Sequence, residues 1–255
     1  MRTIVICNLK GGVAKTATTV NLAAILAADY RKRVLVIDAD SQGNTSEFFG
    51  AVPDPYSLAD VLRAPQDGLS IAMAAIREAS FPGVHVLPGD DSLMDLDLTQ
   101  VQLKGVQAQV LRDLVQACTA RDLYDYCIVD CPPAFNAASA AALLAADEVI
   151  IPMKLDAFAI RGLSNLLRQI HNMRSINPQL RLAGVLPTMW YKSPTMTRAE
   201  AVLRASGLPM FPHIRRTDKV DEMTFAQEPL MVSSPNSAAG VDYRRFVRAY
   251  LGEVQ

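Results

Sequence analysis

The chain has 255 residues, 50% of them apolar and 20% charged, with a formal net charge of −1. That is material for one large domain, or two small ones, with a sizeable core. It excludes a disordered chain, a collagen-like repeat and a disulfide-stapled miniprotein, and bulk charge does not point to a polyanionic partner.

Short β-branched runs alternate with longer helical patterns along the chain. Thr3–Cys7 is expected as a strand, Ala17–Ala28 as a helix, and Val34–Ile37 as a strand ended by Asp38. Leu58–Arg63 reads as a short helix, Val84–Leu87 as a strand closed by Pro88-Gly89, and Val106–Ala120 as a helix. Cys127–Val129 is a strand ended by Asp130 and stopped by Pro132-Pro133, and the Ala-rich run Ala134–Ala146 is a buried helix too short to span a bilayer. Val149–Ile151 is a strand stopped by Pro152. Phe158–Met173 is a helix, Leu182–Leu186 a strand, Met196–Ser206 a helix, and Asp242–Gly252 a terminal helix. Continuous apolar strands alternating with helices imply an α/β fold: a doubly wound, mainly parallel sheet with helices on both faces. A single domain over 1–255 is the simplest organisation, with the weakly periodic stretch from Gly50 to Asp97 as an elaborated crossover.

The four cysteines (Cys7, Cys118, Cys127, Cys131) lack CxxC spacing, and three lie in or beside apolar runs, which suits reduced thiols in a cytosolic protein. No segment resembles a secretory leader.

The first strand runs into Asn8-Leu9-Lys10-Gly11-Gly12-Val13-Ala14-Lys15-Thr16, and a helix follows. This is the strand–loop–helix context of a phosphate-binding loop. Glycine permits backbone conformations that turn successive N–H groups toward an anion, and the helix N-terminus adds partial positive charge there. Lys15 can reach β- and γ-phosphate oxygens, and the Thr16 hydroxyl is placed for Mg²⁺. The loop departs from GxxxxGK[ST]: Ala14 stands at the last glycine, and a second lysine, Lys10, opens it.

In these elements the chain resembles the deviant-Walker-A ATPases, KGGxxK[ST], and most closely the ParA partition ATPases. Lys10–Thr16 carries one motif. Asp38-Ala-Asp-Ser-Gln-Gly-Asn-Thr45 resembles the D-x-D-P-Q-G-N element after the second strand, and Val129-Asp130-Cys-Pro-Pro the Walker B strand and switch II. Ile151-Pro152 with Phe158-Ala-x-x-Gly162 resembles the helix after the next strand. The resemblance covers nearly the whole chain and implies a P-loop NTPase fold and ATP and Mg²⁺ as cofactors. It implies nucleotide contacts from Lys10, Gly11, Gly12, Val13, Ala14, Lys15, Thr16 and Ala17. Thr16, Asp38 and Asp130 would serve the metal, and Asp40 would orient the attacking water, with Lys10 and Lys15 completing the catalytic set. Lys10 would reach across a homodimer to the partner's nucleotide, much as an arginine finger does. Pro187, Thr188, Phe211 and Pro212 would flank the base.

Two positions depart from the pattern. Ala17 replaces a hydroxyl residue, leaving the α-phosphate contact to its backbone N–H, and Ser41 replaces a proline, which predicts a less rigid switch I. Nine basic and seven acidic residues lie from Met189 onward, against sixteen and nineteen before it, so any DNA contact rests on clustering. Lys192, Arg198, Arg204, Arg215, Arg216 and Lys219 form one group; Arg244, Arg245 and Arg248 lie on the last helix. Of these, Lys192, Arg198, Arg215, Arg216, Lys219 and Arg245 are the candidate DNA contacts. Dimerisation would double such a face and switch on non-specific binding to double-stranded DNA. A ParB-type centromere-binding protein would stimulate hydrolysis, in a cytoplasmic, nucleoid-associated protein of the short type without an operator-reading domain. Three alternatives stand beside this one: a MinD-like membrane switch acting through the basic, aromatic last helix, a metal-cluster relative using Cys131, and a non-enzymatic nucleotide-binding module.

Overall fold

Apolar residues on both sides of nearly every strand dictate a sheet covered twice over. The computed structural model describes residues 1–64, 66–98, 106–156 and 159–253; the expected helix start at Phe158 lies outside them. In chain order the elements are β1 (Arg2–Ile6), α1 (Lys15–Ala28), β2 (Val34–Asp38), α2 (Asn44–Phe48), α3 (Leu58–Arg63), α4 (Gly68–Ala75), β3 (Arg77–Glu78), β4 (Val84–Leu87), α5 (Leu93–Leu98), α6 (Val106–Ala120), β5 (Tyr126–Asp130), α7 (Ala137–Ala145), β6 (Glu148–Lys154), α8 (Ala159–Met173), β7 (Arg181–Thr188), α9 (Pro194–Ala205), α10 (Lys219–Ala226), α11 (Leu230–Ser233) and α12 (Ala238–Leu251).

Seven strands form one sheet in the order β3-β4-β2-β5-β1-β6-β7. Every pairing is parallel except the short edge pair β3–β4. Alternation along each strand divides the core in two. Val5, Leu35, Ile37, Cys127 and Val129 face the side built by α3, α4, α6, α7 and α8. Ile4, Ile6, Val34, Val36 and Ile128 face the side built by α1, α10, α11 and α12. The doubly wound parallel sheet expected from the sequence is therefore the one observed, and all four cysteines are free and buried.

The largest departure concerns Pro152, which does not stop its strand: β6 continues through it to Lys154. The β1 ladder on that side ends at the Ile6–Ile150 pair, so the missing proline N–H removes no bond there. The Pro152 carbonyl instead accepts the Asn8 side-chain amide at 2.7 Å. α12 begins four residues earlier than expected, where the Ser237 hydroxyl accepts the Gly240 N–H at 3.1 Å. The 50–97 crossover contains α3, α4, β3, β4 and α5, so it delivers edge strands as well as a connection.

Register sets up the site. Ile6 pairs with Asp130, and Asp38 pairs with Asp130, so β1, β2 and β5 end side by side at their C-terminal edge. Open α/β sheets bind ligands at such an edge, where the winding reverses.

Candidate functional site

The loop between β1 and α1 is tied down at its start. Asn8 accepts the Lys10 N–H at 3.0 Å while its amide reaches Pro152. Gly12 adopts φ +66°, which glycine tolerates. Ala14 also sits in the left-handed region, at φ 67° and ψ 35°, as the N-cap of α1, and no side chain caps that helix start. The position of the motif's last glycine thus needs a glycine conformation even though alanine fills it. Cβ atoms built on Gly11 or Gly12 meet nothing within 4 Å, so the loop borders open space. Lys15 is buried and donates to the Lys10 carbonyl at 3.3 Å. Lys10 itself is half-exposed and ion-paired with Asp156.

Asp130 ends β5 at 1% exposure. Its Oδ2 accepts the Thr16 hydroxyl at 2.7 Å and the Thr45 hydroxyl at 2.6 Å. Its Oδ1 is buried without any hydrogen-bond partner. Burial pushes this carboxyl up to about 6, against the pull of the two hydroxyls and the charge of Lys15. An orphaned carboxylate oxygen beside a threonine hydroxyl fits a hard divalent cation. Among the described residues no group of three or more His, Cys, Asp or Glu could hold a metal on its own. A cation here would therefore draw most of its ligands from phosphate oxygens and water, which is how Mg²⁺ accompanies a nucleotide. Thr45 belongs to the quoted switch I motif but was not among the expected site residues.

Asp38 behaves differently from the expected metal ligand. Its Oδ2 accepts both the Ser46 N–H, at 2.8 Å, and the Ser46 hydroxyl, at 2.7 Å; its Oδ1 accepts the Asp40 N–H at 3.2 Å. With both oxygens engaged and no exposure, Asp38 holds the following loop instead of facing a cation. Burial, then the neighbouring charge of Asp130, pushes its carboxyl up to about 7. Asp40 lies past the strand, so alternation does not place it with Asp38. It sits half-buried in a turn, with its carboxylate accepting the Gln42 N–H at 3.1 Å and its carbonyl the Gly43 N–H at 3.0 Å.

A cavity of about 410 Å³ opens beside the loop, lined among others by Ala14, Thr188, Met189, Ile214, Thr217 and Val220. Thr188, one of the expected base neighbours, lies in it and donates to the Val13 carbonyl at 3.1 Å. The other three do not line it. Pro187 stays within β7, where its carbonyl accepts the Ile214 N–H at 2.8 Å, and Pro212 lies outside the lining. Phe211 is a core residue: its ring lies edge-on to Phe246 at 5.0 Å, over Gly184, where a Cβ would come within 2.7 Å of it. Met189, at φ 52°, supplies the strained turn that opens the cavity wall. Next to it Trp190 stacks flat on His213, centroids 4.0 Å apart, and His213 meets Glu200 of α9 at 3.2 Å.

The basic residues divide in two. Arg215 grips the buried Asp242 through its backbone N–H, Nε and Nη2 at 2.8–2.9 Å. Lys219 pairs with Glu222 at 2.8 Å, Arg204 with Glu200 at 2.8 Å and Arg244 with Asp29 at 3.3 Å. Arg215 and Lys219, two of the candidate DNA contacts, are thus each paired with a carboxylate of their own chain. Among the described residues Lys192, Arg198, Arg216, Arg245 and Arg248 are exposed and have no ion-pair partner. Lys192 and Arg198 flank an open groove at the start of α9. Also among the described residues, no helix is long and apolar enough to cross a membrane.

A strand–loop–helix cradle with a buried lysine, and a carboxylate–hydroxyl pair one strand away, define a P-loop nucleotide-binding protein of the doubly wound class. A family model described as an AAA domain matches residues 1–182. The chain is 38% identical over 195 residues to the chromosome partitioning protein ParA of Caulobacter vibrioides, covering 74% of this chain and 70% of that one. It is 31% identical over 260 residues to the chromosome-partitioning ATPase Soj of Thermus thermophilus, covering 100% and 97%. Among solved structures, an ATP complex of McdA from Cyanothece superposes with a TM-score of 0.83 at 26% identity, covering 100% and 98%. The chain belongs to the ParA/Soj family of partition ATPases.

Proposed function

We propose that the chain is a single-domain, ATP- and Mg²⁺-dependent partition ATPase whose nucleotide-bound dimer coats DNA. The observation that carries this reading is Asp130: buried, sharing one oxygen between Thr16 and Thr45 and leaving the other bare at the mouth of the lysine loop. Thr16 and Asp130 would hold Mg²⁺, which when bound neutralises phosphate oxygens. Loop N–H groups from Gly11 to Ala17 and the Lys15 ammonium bind the phosphates, and the base takes the cavity beside Thr188 and Met189. Asp40 orients the attacking water. Lys10 leaves Asp156 and crosses to the nucleotide of the second copy, where its charge stabilises the transferring phosphoryl group. Hydrolysis is slow alone because part of the catalytic set comes from the partner copy.

DNA contacts fall to the exposed cations Lys192, Arg198, Arg216 and Arg245, which act as a face once two copies join. A ParB-type centromere-binding protein stimulates hydrolysis and releases the dimer, in a cytoplasmic, nucleoid-associated cycle that segregates a plasmid, a chromosome or another cargo. The terminal helix gives the membrane alternative no support, since Tyr243, Phe246 and Val247 of α12 are buried in the core. DNA co-sedimentation without nucleotide and with ADP, ATP and a slowly hydrolysed analogue tests the reading. Binding is expected with ATP and the analogue only; equal binding in all four, or binding to anionic liposomes but not DNA, refutes it.

A further inference from the structure

The loop carrying Asp40 has few tethers to the rest of the fold. Within its own turn Asp40 bonds only Gln42 and Gly43. Outside it, the Ala39 N–H reaches the Asp130 carbonyl at 2.9 Å, and the Asp40 N–H reaches Asp38. The β2–β5 ladder fixes the backbone up to Ala39, and beyond it what holds the Asp38 side chain also holds the Asp40 N–H. That role falls to Ser46 and Gly89, neither of which is marked by a sequence motif for catalysis.

The Ser46 hydroxyl is a bridge: it donates to Asp38 Oδ2 at 2.7 Å and accepts the Gly89 N–H at 3.0 Å. The Ser46 N–H adds a second bond to the same carboxylate oxygen. Gly89 lies just past β4, whose pairing with β2 ends at Leu87 and Ile37. A Cβ there would stand 2.3 Å from the Asp38 carbonyl oxygen and 3.2 Å from that of Asp40. Both are backbone atoms, so no side chain can rotate away. On the other side of the contact, a Cβ on Gly43, at φ +63°, would stand 3.1 Å from the Gly89 carbonyl oxygen. Residues 38–43 thus rest on bare backbone at the end of β4, with the Ser46 hydroxyl as the rivet.

We infer that Ser46 and Gly89 are positioning residues for hydrolysis, fixing Asp38 and through it the backbone of Asp40. The inference rests on the reading of Asp40 as the residue that orients the attacking water. Misplacing such a group lowers turnover more than it lowers substrate binding.

The test uses the full chain with Mg²⁺, ATP and DNA, and measures single-turnover hydrolysis and the ATP dissociation constant separately. Losing one buried hydroxyl bridge predicts that Ser46→Ala hydrolyses about tenfold more slowly, with ATP affinity within about twofold of wild type. Ser46→Thr, which keeps the hydroxyl, recovers most of the rate. Placed on Asp40→Asn, Ser46→Ala adds no further loss, because both act through one group. Where Ser46→Ala does not fold, Ser46→Cys keeps the volume, weakens both bonds and is expected to lose about threefold. A wild-type rate in Ser46→Ala, an affinity loss matching the rate loss, or full additivity with Asp40→Asn overturns the inference. If Asp40→Asn itself turns over normally, the reading of Asp40 falls and this inference with it. If Asp40→Asn is slow while Ser46→Ala is not, only the inference falls.

Discussion

Replacing Lys10 with alanine separates folding from assembly. The side chain is 43% exposed and its partner Asp156 29% exposed. An ion pair so solvated contributes about 0–1 kcal/mol. The loop does not depend on it, because the Asn8 bond uses the Lys10 N–H and the Lys15 bond uses the Lys10 carbonyl, and both survive in alanine. At about 2–4 °C per kcal/mol for a chain of this size, the melting temperature should fall by no more than ~4 °C. The effect on assembly is of a different order. A cation supplied in trans to a phosphoryl group is worth about 10³-fold or more in turnover, and without it the two triphosphates of the proposed dimer would face each other less fully neutralised. Light scattering should show wild type becoming dimeric with ATP and Lys10→Ala staying monomeric, with thermal unfolding near wild type. Undiminished ATP-dependent dimers in Lys10→Ala would refute the reasoning, as would a melting temperature lower by ten degrees or so.

Ala14→Gly should raise stability by about 0.5–1 kcal/mol, since relief of a left-handed alanine outweighs the extra freedom of glycine in the unfolded chain; a rise of ~1–4 °C in thermal unfolding checks it. Asp38 binds its proton more tightly folded, at about 7, than in the unfolded chain. Its contribution is therefore complete below about pH 4 and is lost as pH climbs through 7. Denaturant titrations should show the stability of wild type relative to Asp38→Asn growing as pH drops from 8 to 5, by at most ~1.4 kcal/mol per pH unit. Arg215→Ala keeps the backbone bond to the buried Asp242 carboxylate but removes both guanidinium bonds, and should cost about 1–3 kcal/mol with a lower melting temperature. Arg216→Ala and Arg245→Ala should leave unfolding unchanged while weakening ATP-dependent DNA binding and flattening its salt dependence.

The parts legible in the sequence were those in which local pattern and burial agree. β4, α3 and α6 run between the expected residues, because β-branched runs with both faces buried and helices with one apolar stripe leave little choice. The phosphate loop was legible because its chemistry is continuous in sequence. The cavity beside it was not, since its walls come largely from the end of β7 and from residues some 25–30 positions further on. Phe211 attracts attention as an aromatic near that wall, yet the gap left by Gly184 draws it into the core. Asp38 and Asp40 look alike as a D-x-D pair; the end of β2, burial and the Ser46 bonds separate them. α10 and α11 each bury a single residue, Met223 and Leu230, so neither shows an apolar stripe.

The single tryptophan among 255 residues lies flat against His213, each one residue from the cavity lining, with Glu200 of α9 beyond the imidazole. Aromatic emission at long wavelength thus has one source, stacked on an imidazole whose own neighbour, Glu200, sits on the helix that carries Arg198. A change at the cavity wall or at α9 is one contact removed from that ring, so intrinsic fluorescence of the unlabelled protein is expected to report on both.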